Sequence, residues 1–295
     1  MAGLAAVGAL PACASWRGTG SRATTRLLFY TDVHTRTEWR TPDALSLAAK
    51  AINREAADLV VAGGDLVTDG FQSAAATVAP RWDAYLEMHR AIRPGVVAAI
   101  GNHDLVAAIP EDGTEPAADP RAEFRRRLAV ARTWRRVDAG GVRLLLLDPI
   151  DIVGGRLKYE GRIGAEQLAW LDQELAAVPS GLVPVIVTHM PLLTAFYAAT
   201  DGSTSSAPAN RVVVNNREVL ELLVRHQVPL VLQGHLHVDE MLRWRGITFV
   251  TGGAVCGKWW RGSWHGTGEG FGVVTLRPDR IDWEYRGYGW TARRP

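Results

Sequence analysis

The sequence predicts an α/β fold, in which strands and helices alternate along the chain. Six short runs of apolar residues have the length and composition of buried strands. Between them, four segments carry apolar residues at helical spacing. Strand followed by helix, repeated along the chain, is typical of a sheet covered by helices.

The predicted strands are the apolar runs themselves. A continuous run rich in Val, Leu and Ile favours a strand that is buried on both faces. Most of these runs end in Asp, Asn or His, which are residues that a buried strand does not otherwise need. The predicted strands cover residues 26–32, 58–65, 95–104, 142–148, 182–189 and 228–235.

The predicted helices separate these strands. In each of them the apolar residues recur every three or four positions, so that one face can pack on a sheet. Two other segments, 107–120 and 199–211, are rich in Gly, Pro and small polar residues, which indicates loops. Both loops follow predicted strands and are placed to overhang a site. The predicted helices cover residues 42–56, 81–92, 164–178 and 216–227.

The C-terminal region differs from the rest of the chain. Residues 241–253, 270–278 and 280–290 are short segments rich in aromatic and β-branched residues, bounded by Gly, Asp and Pro. This pattern predicts strands that pair antiparallel through tight turns.

Composition narrows the class of protein. The chain has 295 residues, 47% of them hydrophobic, which suffices for one large domain or two small ones. Its net charge is +2, from 33 basic and 31 acidic residues, so no strong field favours nucleic acid or an anionic membrane. A local cluster of arginines is interpreted as the solvated face of a helix: Arg125, Arg126, Arg127, Arg132, Arg135 and Arg136.

The first 22 residues are predicted to be a leader, and residues 23–295 a single domain. The leader holds an apolar run that ends in small residues, as secretion signals do, although no Lys or Arg precedes it. Cleavage after Ala14 and lipidation of Cys13 are alternative outcomes, and both place the protein in the periplasm, at the cell surface or outside the cell. The run is too short to span a bilayer. If it is not a signal, the protein is cytoplasmic.

Polar residues follow the predicted strands at the point where each strand ends. In open α/β sheets, ligands bind beyond the carboxyl ends of the strands, so these side chains are expected to meet. Imidazole, carboxylate and carboxamide donors together suit Mn, Fe or Zn. Seven candidates exceed the four ligands of a closed zinc site and suit two ions, with Asp65 bridging through its two oxygens. The predicted metal ligands are Asp32, His34, Asp65, Asn102, His189, His235 and His237.

The ordered motifs DVH, GGD, GNHD, VTH and GHLH resemble those of the calcineurin-like metallophosphoesterase superfamily. The resemblance spans residues 32–237 and implies a four-layer α/β/β/α sandwich with a dinuclear metal site at the strand ends. It also implies that His103 faces the substrate, as a stabiliser of the phosphoryl group or as the acid for the leaving oxygen, and that Asp104 orients it. The implied ligand sets are Asp32, His34, Asp65 and His237 for one metal, and Asp65, Asn102, His189 and His235 for the other.

The implied activity is hydrolysis of a phosphodiester or phosphomonoester by a hydroxide that bridges two divalent ions. Two such ions, two carboxylates and one hydroxide leave a net charge of +1, which suits a phosphate ester. Because of the predicted export, nucleotides and phospholipid head groups are candidate substrates. No nucleic-acid partner is expected.

Differences from relatives narrow the resemblance to the bacterial phosphodiesterase and phosphatase branch. Purple acid phosphatases carry a metal-binding Tyr three residues after the bridging Asp, where this chain has Thr68, and the RG dipeptide of protein phosphatases is missing after the GD motif. Two other classes stay open. A metal-dependent nuclease requires a basic groove, which the charge balance disfavours. An inactive, ligand-binding exported metalloprotein predicts a lost ligand, and none of the seven is missing.

Other polar and aromatic residues have two interpretations each. Asp69 is interpreted as a turn residue rather than as a partner of a ligand histidine, and Asp148 as structural. His89 and His226 lie on helical segments and are interpreted as structural. Cys256 is expected to fill a small buried space. The aromatics of the Gly-rich segment 252–272 either stack on a substrate or cover a sheet edge, and its charged residues either meet an anion or are solvated. These are Trp259, Trp260 and Trp264, with Lys258, Arg261 and His265.

Overall fold

The protein is described by a computed structural model in which residues 24–292 are placed. The predicted leader, residues 1–22, lies outside the described residues together with Cys13. Export of the chain and lipidation of Cys13 therefore stay predictions. Within residues 24–292, no helix is long and apolar enough to cross a bilayer.

Thirteen strands and six helices make up the described part of the chain. The strands are β1 (Thr25–Tyr30), β2 (Leu59–Ala62), β3 (Val96–Ala98), β4 (Arg135–Ala139), β5 (Val142–Leu146), β6 (Ile150–Gly154), β7 (Lys158–Gly161), β8 (Val183–Thr188), β9 (Leu230–Gln233), β10 (Glu240–Trp244), β11 (Ile247–Thr251), β12 (Gly270–Leu276) and β13 (Ile281–Gly287). The helices are α1 (Thr41–Ile52), α2 (Ala75–Ala91), α3 (Ala122–Leu128), α4 (Ala165–Ala176), α5 (Phe196–Thr200) and α6 (Asn216–Arg225).

The strands form two large sheets and one hairpin. The first sheet has the order β13-β12-β1-β2-β3, with β1, β2 and β3 parallel. The second has the order β10-β11-β9-β8-β5-β4, with β11, β9, β8 and β5 parallel. The hairpin pairs β6 with β7. Because strands in each parallel set point the same way, their carboxyl ends share one edge of each sheet.

The two sheets pack face to face, with helices on their outer faces. Leu27 and Phe29 on β1 belong to the core between the sheets, with Val185 on β8. Tyr30 points the other way and hydrogen bonds through its hydroxyl to Tyr85 on α2, 3.1 Å away. On the second sheet, Arg143 of β5 points outward to carbonyls of α4 and its C-terminal end. The four-layer α/β/β/α sandwich is therefore confirmed.

Strand boundaries differ from the sequence prediction in a consistent way. Each predicted strand was extended to the polar residue that follows it, whereas the observed strands end earlier. The third is the clearest case: β3 ends at Ala98, and Asn102–Asp104 form a short 3₁₀ turn. The polar side chains therefore lie on loops beyond the sheet edge, where they can turn toward one another.

The C-terminal strands divide between the two sheets. β11 pairs parallel with β9, and β10 pairs antiparallel with β11. The chain then crosses over, and β12 pairs antiparallel with β1 in the first sheet. Segment 252–269 is the crossover, and it passes over the edge where the polar residues lie.

Several elements were not predicted from the sequence. The hairpin β6–β7, strand β4 and the short helix α5 lie in segments without clear hydrophobic periodicity. Helix α2 begins six residues earlier than predicted and contains Pro80. The prediction that the arginine cluster forms one helix face was wrong. Helix α3 carries Arg125, Arg126 and Arg127, whereas strand β4 carries Arg135 and Arg136.

Candidate metal centre

The predicted metal ligands meet at the carboxyl ends of the parallel strands of both sheets. The loops after β1, β2 and β3 supply four of them, and the loops after β8 and β9 supply three. Each of the seven is at most 5% exposed. Buried groups of this kind need partners, because desolvation without a partner costs a few kcal/mol for each. They are Asp32, His34, Asp65, Asn102, His189, His235 and His237.

The backbone at the site is left-handed at most of these positions. The φ angles of five of the seven residues lie between 43° and 73°. Such a conformation costs a non-glycine residue about 1 kcal/mol or more, so it persists only where the surroundings hold it. Here it turns side chains of successive loops toward one point. The five residues are Asp32, His34, Asp65, His235 and His237.

Two glycines permit the close approach of the loops. Gly64 has a φ of 98°, and a Cβ placed there would lie 2.8 Å from Nδ1 of His189. A Cβ at Gly101 would lie 2.2 Å from Oδ1 of Asp65. Both contacts are shorter than any side chain can tolerate, so the loops after β2 and β3 require glycine at these positions.

The first ligand set gathers around the Nε2 atoms of His34 and His237, which lie 3.1 Å apart. Oδ1 of Asp32 lies 3.3 Å from Nε2 of His237, and Oδ2 of Asp65 lies 3.5 Å from Nε2 of His34. Two nitrogens and two oxygens therefore converge from both sheets.

The second ligand set lies on the other side of Asp65. Oδ2 of Asp65 is 3.1 Å from Nε2 of His189, which is 3.2 Å from Nδ1 of His235. The Asn102 side chain is 2% exposed, and its buried Oδ1 has no hydrogen-bond partner among the described residues.

Three of the imidazoles are oriented by backbone carbonyls. His189 Nδ1 donates to the Gly63 carbonyl at 2.9 Å, and His237 Nδ1 to that of Gly257 at 2.6 Å. His235 Nε2 donates to the Asn210 carbonyl at 3.0 Å. A carbonyl only accepts, so in each neutral imidazole the other nitrogen is unprotonated and offers its lone pair to the cluster.

Each of the two carboxylates has one oxygen held by the protein. Oδ2 of Asp32 accepts from the Thr31 hydroxyl at 2.7 Å and from the His235 N–H at 2.9 Å. Oδ1 of Asp65 accepts from the His103 N–H at 2.8 Å. Asp65 was expected to bridge two ions through both oxygens. Oδ1 thus already accepts one hydrogen bond, and Oδ2 lies between the two sets.

These atoms fit a pair of divalent metal ions. Oδ1 of Asp32 and Oδ1 of Asn102 are buried and have no hydrogen-bond partner in the described structure. An unpaired buried oxygen costs free energy that a cation would recover. Each set combines imidazole nitrogens with carboxylate or carboxamide oxygens, which is a donor set for Mn, Fe or Zn.

The profile of the calcineurin-like phosphoesterase family matches residues 25–239. The chain belongs to this family. The match covers every motif that carries the seven side chains described above. The chain is accordingly a metal-dependent hydrolase acting on small phosphate esters. No protein among curated sequences matches the chain significantly.

Solved structures share the fold of this phosphoesterase at low sequence identity. GAP50, the anchor in the inner membrane complex of Plasmodium, has a TM-score of 0.52 at 14% identity, over 90% of this chain and 85% of that one. Phosphopantetheinyl hydrolase from Mycobacterium tuberculosis has a TM-score of 0.51 at 14% identity, over 80% and 91%. A putative 5′-nucleotidase from Staphylococcus aureus has 0.52 at 15%, over 89% and 53%.

Protonation in the metal-free phosphoesterase differs between the histidines of each set. Burial lowers the pKa of His189, but Asp65 and Asp32 outweigh it and raise the value to about 9. Burial and the charge of His189 lower the pKa of His235 to about 3. In the first set, burial holds the pKa of His34 well below its usual value, whereas that of His237 is raised despite its burial, with Cys256 and Asp32 raising it. Each set therefore pairs one protonated imidazole with one neutral imidazole.

His103 lies beside the ligands with its side chain 27% exposed. Its ring meets that of His34 edge to face, with the ring centroids 4.6 Å apart. The Asp69 N–H donates to His103 Nδ1 at 3.0 Å. In the neutral ring the proton is therefore on Nε2, the nitrogen that is left to face a substrate.

Asp104 was expected to orient His103, and the structure contradicts this. Its Oδ1 accepts from the Leu66 and Val67 N–H groups at 2.7 and 3.2 Å, and its Oδ2 from the Gly101 N–H at 2.8 Å. The 3₁₀ turn directs the Asp104 carboxylate inward, so it joins the loops after β2 and β3. Burial and the charge of Asp65 raise its pKa to about 8.

Asp69 supports His103 instead. It has a φ of 53° and makes the turn that brings its N–H to the imidazole, as its interpretation as a turn residue requires. Its carboxylate lies 3.5 Å from Arg36 and 3.9 Å from Arg81. The interaction passes through the backbone, which explains why no side-chain motif indicated it.

The tryptophan segment packs on the metal centre and not on a sheet edge. Trp260 is buried, and its Nε1–H donates to the His34 carbonyl at 2.9 Å. The ring of Trp259 lies 4.4 Å from that of His237. Trp264 is half-buried, and its ring lies 5.9 Å from that of Trp259. Trp260 is therefore structural, and the other two form a wall beside the first ligand set.

The other residues of this segment that were considered from the sequence lie in different environments. Cys256 is buried, as expected of a small filler. The ammonium of Lys258 lies over the Trp264 ring, 4.9 Å from its centroid. Arg261 and His265 are exposed, and the His265 ring lies 5.0 Å from that of Phe196 on α5. The ring contacts thus extend from the metal centre to the segment after β8.

Polar residues outside the motifs were interpreted correctly as structural. Asp148 binds Arg121 Nε at 2.6 Å and the Thr133 hydroxyl at 2.6 Å. His226 Nε2 pairs with Asp172 at 2.6 Å, and His89 Nδ1 lies 3.3 Å from the Tyr85 hydroxyl.

Sequence reasoning missed Arg211, Tyr159 and Tyr197 as residues near the site. Tyr159 lies on β7, Tyr197 on α5, and Arg211 follows the Asn210 carbonyl that orients His235. None belongs to a motif. The one available signal was the position of segment 199–211, which was expected to overhang the site.

Proposed function

We propose that this protein hydrolyses small phosphate esters at a dinuclear metal centre. One ion is held by Asp32, His34, Asp65 and His237, and the other by Asp65, Asn102, His189 and His235. His103 is the proposed hydrogen-bond donor that stabilises the leaving oxygen. Membership of the calcineurin-like phosphoesterase family supports the reaction class, and the convergence of these side chains supports the assignment.

The position of Asp65 Oδ2 carries the proposal. This oxygen lies 3.5 Å from His34 Nε2 on one side and 3.1 Å from His189 Nε2 on the other. Its partner oxygen is engaged by the His103 N–H. One carboxylate oxygen between two sets of imidazole nitrogens is a geometry for two cations rather than one.

When bound, the two ions supply an activated water and neutralise the phosphate oxygens. The residues of the chain position the substrate and stabilise the charge that develops on it. His103 Nε2–H donates a hydrogen bond to the leaving oxygen as the bond from phosphorus to that oxygen breaks and the bond to the attacking oxygen forms. Asp69 keeps the proton of the neutral ring on Nε2 by donating its own N–H to Nδ1. The leaving oxygen takes its proton from water.

The wall of Trp259 and Trp264 is the proposed boundary for the leaving group. Both rings lie on the side of the first ligand set, where His34 and His103 also meet. A leaving group next to His103 therefore lies against aromatic rings, which favour flat or apolar alcohols.

The experiment compares two monoesters with different leaving groups, phenyl phosphate and p-nitrophenyl phosphate. Metal-stripped protein is reloaded with Mn²⁺, and the variants are His103→Gln and, as a matched control, His226→Gln at the C-terminal end of α6. Phenolate is a stronger base than p-nitrophenolate, so its departure depends more on a donor that stabilises the charge on its oxygen. We expect His103→Gln to lower kcat for phenyl phosphate about a hundredfold and for p-nitrophenyl phosphate much less. His226→Gln should have the same kcat for both monoesters as the unmodified protein.

Elemental analysis of the same samples completes the test. Two Mn²⁺ per chain are expected in all three proteins. A protein that holds two ions and hydrolyses neither ester, nor the diester bis-p-nitrophenyl phosphate, would favour the inactive, ligand-binding alternative. Equal losses for the two monoesters in His103→Gln would remove the assignment of His103 as the donor to the leaving oxygen and leave it as a stabiliser of the phosphoryl group.

A further inference from the structure

Arg211 lies on a segment that is fixed against both the hairpin and the metal centre. The Gly161 N–H of β7 donates to the Ala209 carbonyl at 2.9 Å, and the Val214 N–H donates to the Gly161 carbonyl at 2.7 Å. Between these two bonds, the Asn210 carbonyl accepts from His235 Nε2 at 3.0 Å. The backbone of Arg211 is therefore held one residue from a group that orients a ligand of the second set.

The guanidinium of Arg211 has no partner in the described structure. Arg211 is half-buried, and no hydrogen bond or ion pair of its side chain occurs among residues 24–292. Arg135, which is also half-buried and has no ion pair, donates to the Ala98 carbonyl. The other described arginines without an ion pair are exposed: Arg54, Arg90, Arg93, Arg156, Arg217, Arg243, Arg245 and Arg261. Arg211 therefore differs from every other arginine in this part of the chain.

Its positive charge acts on residues around the second ligand set. Burial raises the pKa of Tyr159 to about 12, and the charge of Arg211 opposes this rise. Arg211 opposes the burial-induced rise at Tyr197 in the same way. Arg211 thus lies close enough to Tyr159, Tyr197 and His235 for its charge to act on all three.

Two other arginines near the site are already compensated. Arg36 lies 2.9 Å from Glu38 and 3.5 Å from Asp69, and Arg81 lies 3.9 Å from Asp69. These two arginines thus face two carboxylates beside His103. Unlike them, Arg211 has no carboxylate partner in the described structure.

We propose that Arg211 binds the phosphoryl group of the substrate and makes this enzyme prefer phosphomonoesters to phosphodiesters. This inference rests on the proposed function. Two divalent ions, two carboxylates and one hydroxide give the centre a net charge of +1. The guanidinium of Arg211 raises the net charge facing the substrate to +2. A phosphomonoester carries two negative charges near neutral pH, because its second pKa is about 6, whereas a diester carries one. A guanidinium also matches phosphate oxygens with two parallel N–H groups.

The test uses Arg211→Gln, Arg211→Lys and the control Arg217→Gln, which removes an exposed arginine on α6. We compare kcat/KM for p-nitrophenyl phosphate with that for bis-p-nitrophenyl phosphate in the Mn²⁺-loaded proteins. We expect Arg211→Gln to lower the monoester-to-diester ratio about tenfold to a hundredfold, as the loss of a charge-assisted hydrogen bond predicts. Arg211→Lys should retain part of the preference, and Arg217→Gln all of it.

A binding measurement gives a readout that is independent of turnover. Calorimetric titration with inorganic phosphate should show at least tenfold weaker binding in Arg211→Gln than in Arg217→Gln, with equal metal content in both. An unmodified protein without activity toward either ester would refute the proposed function. An active protein in which Arg211→Gln leaves the ester ratio and phosphate binding unchanged would refute this inference alone.

Discussion

The histidines of the metal centre have different protonation states, and a backbone carbonyl determines which nitrogen of three of them faces the cluster. In the metal-free protein the raised pKa values of His189 and His237 place a proton where each ion would bind. His34 and His235, whose pKa values are lowered, accept from these protonated rings at 3.1 and 3.2 Å. The metal-free protein therefore keeps one proton in each ligand set.

Metal binding should release these protons. At pH 7 the pKa of His189, about 9, keeps its imidazole protonated, and a metal requires the lone pair. Calorimetric titration of Zn²⁺ into metal-stripped protein, in buffers of different ionisation enthalpy, should show release of about two protons per chain for two ions. The apparent affinity should rise with pH up to about 9. Binding without proton release would contradict these protonation states.

At the scale of residues, the sequence was sufficient to identify the seven side chains that converge and insufficient for the interactions that support them. The motifs named all seven side chains, because each stands next to an apolar run and has a chemical type that metals prefer. The role of Asp104 depends on a 3₁₀ turn that directs it to three backbone amides, and Asp69 acts through its own N–H. Interactions through the backbone leave no residue pattern, so neither was predictable.

At the scale of elements, strand β5 is joined to its neighbours through the buried Arg143. Its guanidinium binds both oxygens of Asp138 on β4 at 2.8 Å, and its Nη1 donates to the Ala177 carbonyl at the end of α4 at 2.9 Å. The residue is 3% exposed. One side chain therefore connects two strands with the helix that covers them.

Replacing Arg143 should destabilise the fold more than replacing a neighbouring exposed arginine. Arg143→Met leaves the α4 carbonyls without this donor and should lower the free energy of unfolding by about 1–3 kcal/mol. The matched control is Arg136→Met, whose guanidinium is 53% exposed and pairs with Glu174 at 3.0 Å. That change should lower the free energy of unfolding by at most about 1 kcal/mol. Urea unfolding at pH 7 measures both losses. Equal losses would show that the burial of Arg143 adds nothing to its contribution to stability.

The elements that sequence reasoning missed are those without a hydrophobic period of their own. In strand β4, half-buried residues alternate with exposed ones, and the strand includes two arginines and an aspartate. Hairpin β6–β7 contains no residue run that is buried throughout. The sequence also does not predict how β10–β13 are distributed over the two sheets, because the apolar pattern of a strand does not indicate the strand with which it pairs.

At the scale of the whole molecule, each ligand set joins the two sheets. Loops of the first sheet supply Asp32, His34, Asp65 and Asn102, and loops of the second supply His189, His235 and His237. Neither set is complete within one sheet. The α/β pattern alone predicted that these side chains meet at the strand ends. That they come from two facing sheets was predicted only through the family resemblance, since spacing alone does not reveal that two sheets face each other.

Removing the metals should therefore lower the thermal stability of the whole fold. Without cations, only the histidines balance the buried negative charges of Asp32 and Asp65. The left-handed loop residues also lose the ions that would hold them in place. A ligand that binds only the folded state at a thousandfold excess over its Kd adds about 4 kcal/mol. Scanning calorimetry should show a Tm about 10 °C higher with Mn²⁺ or Zn²⁺ than after metal stripping. Ca²⁺, which prefers an all-oxygen cage, should have a much smaller effect. If Mn²⁺ and Ca²⁺ gave equal shifts, the nitrogen ligands from the second sheet would not be engaged, and the ions would not be joining the sheets.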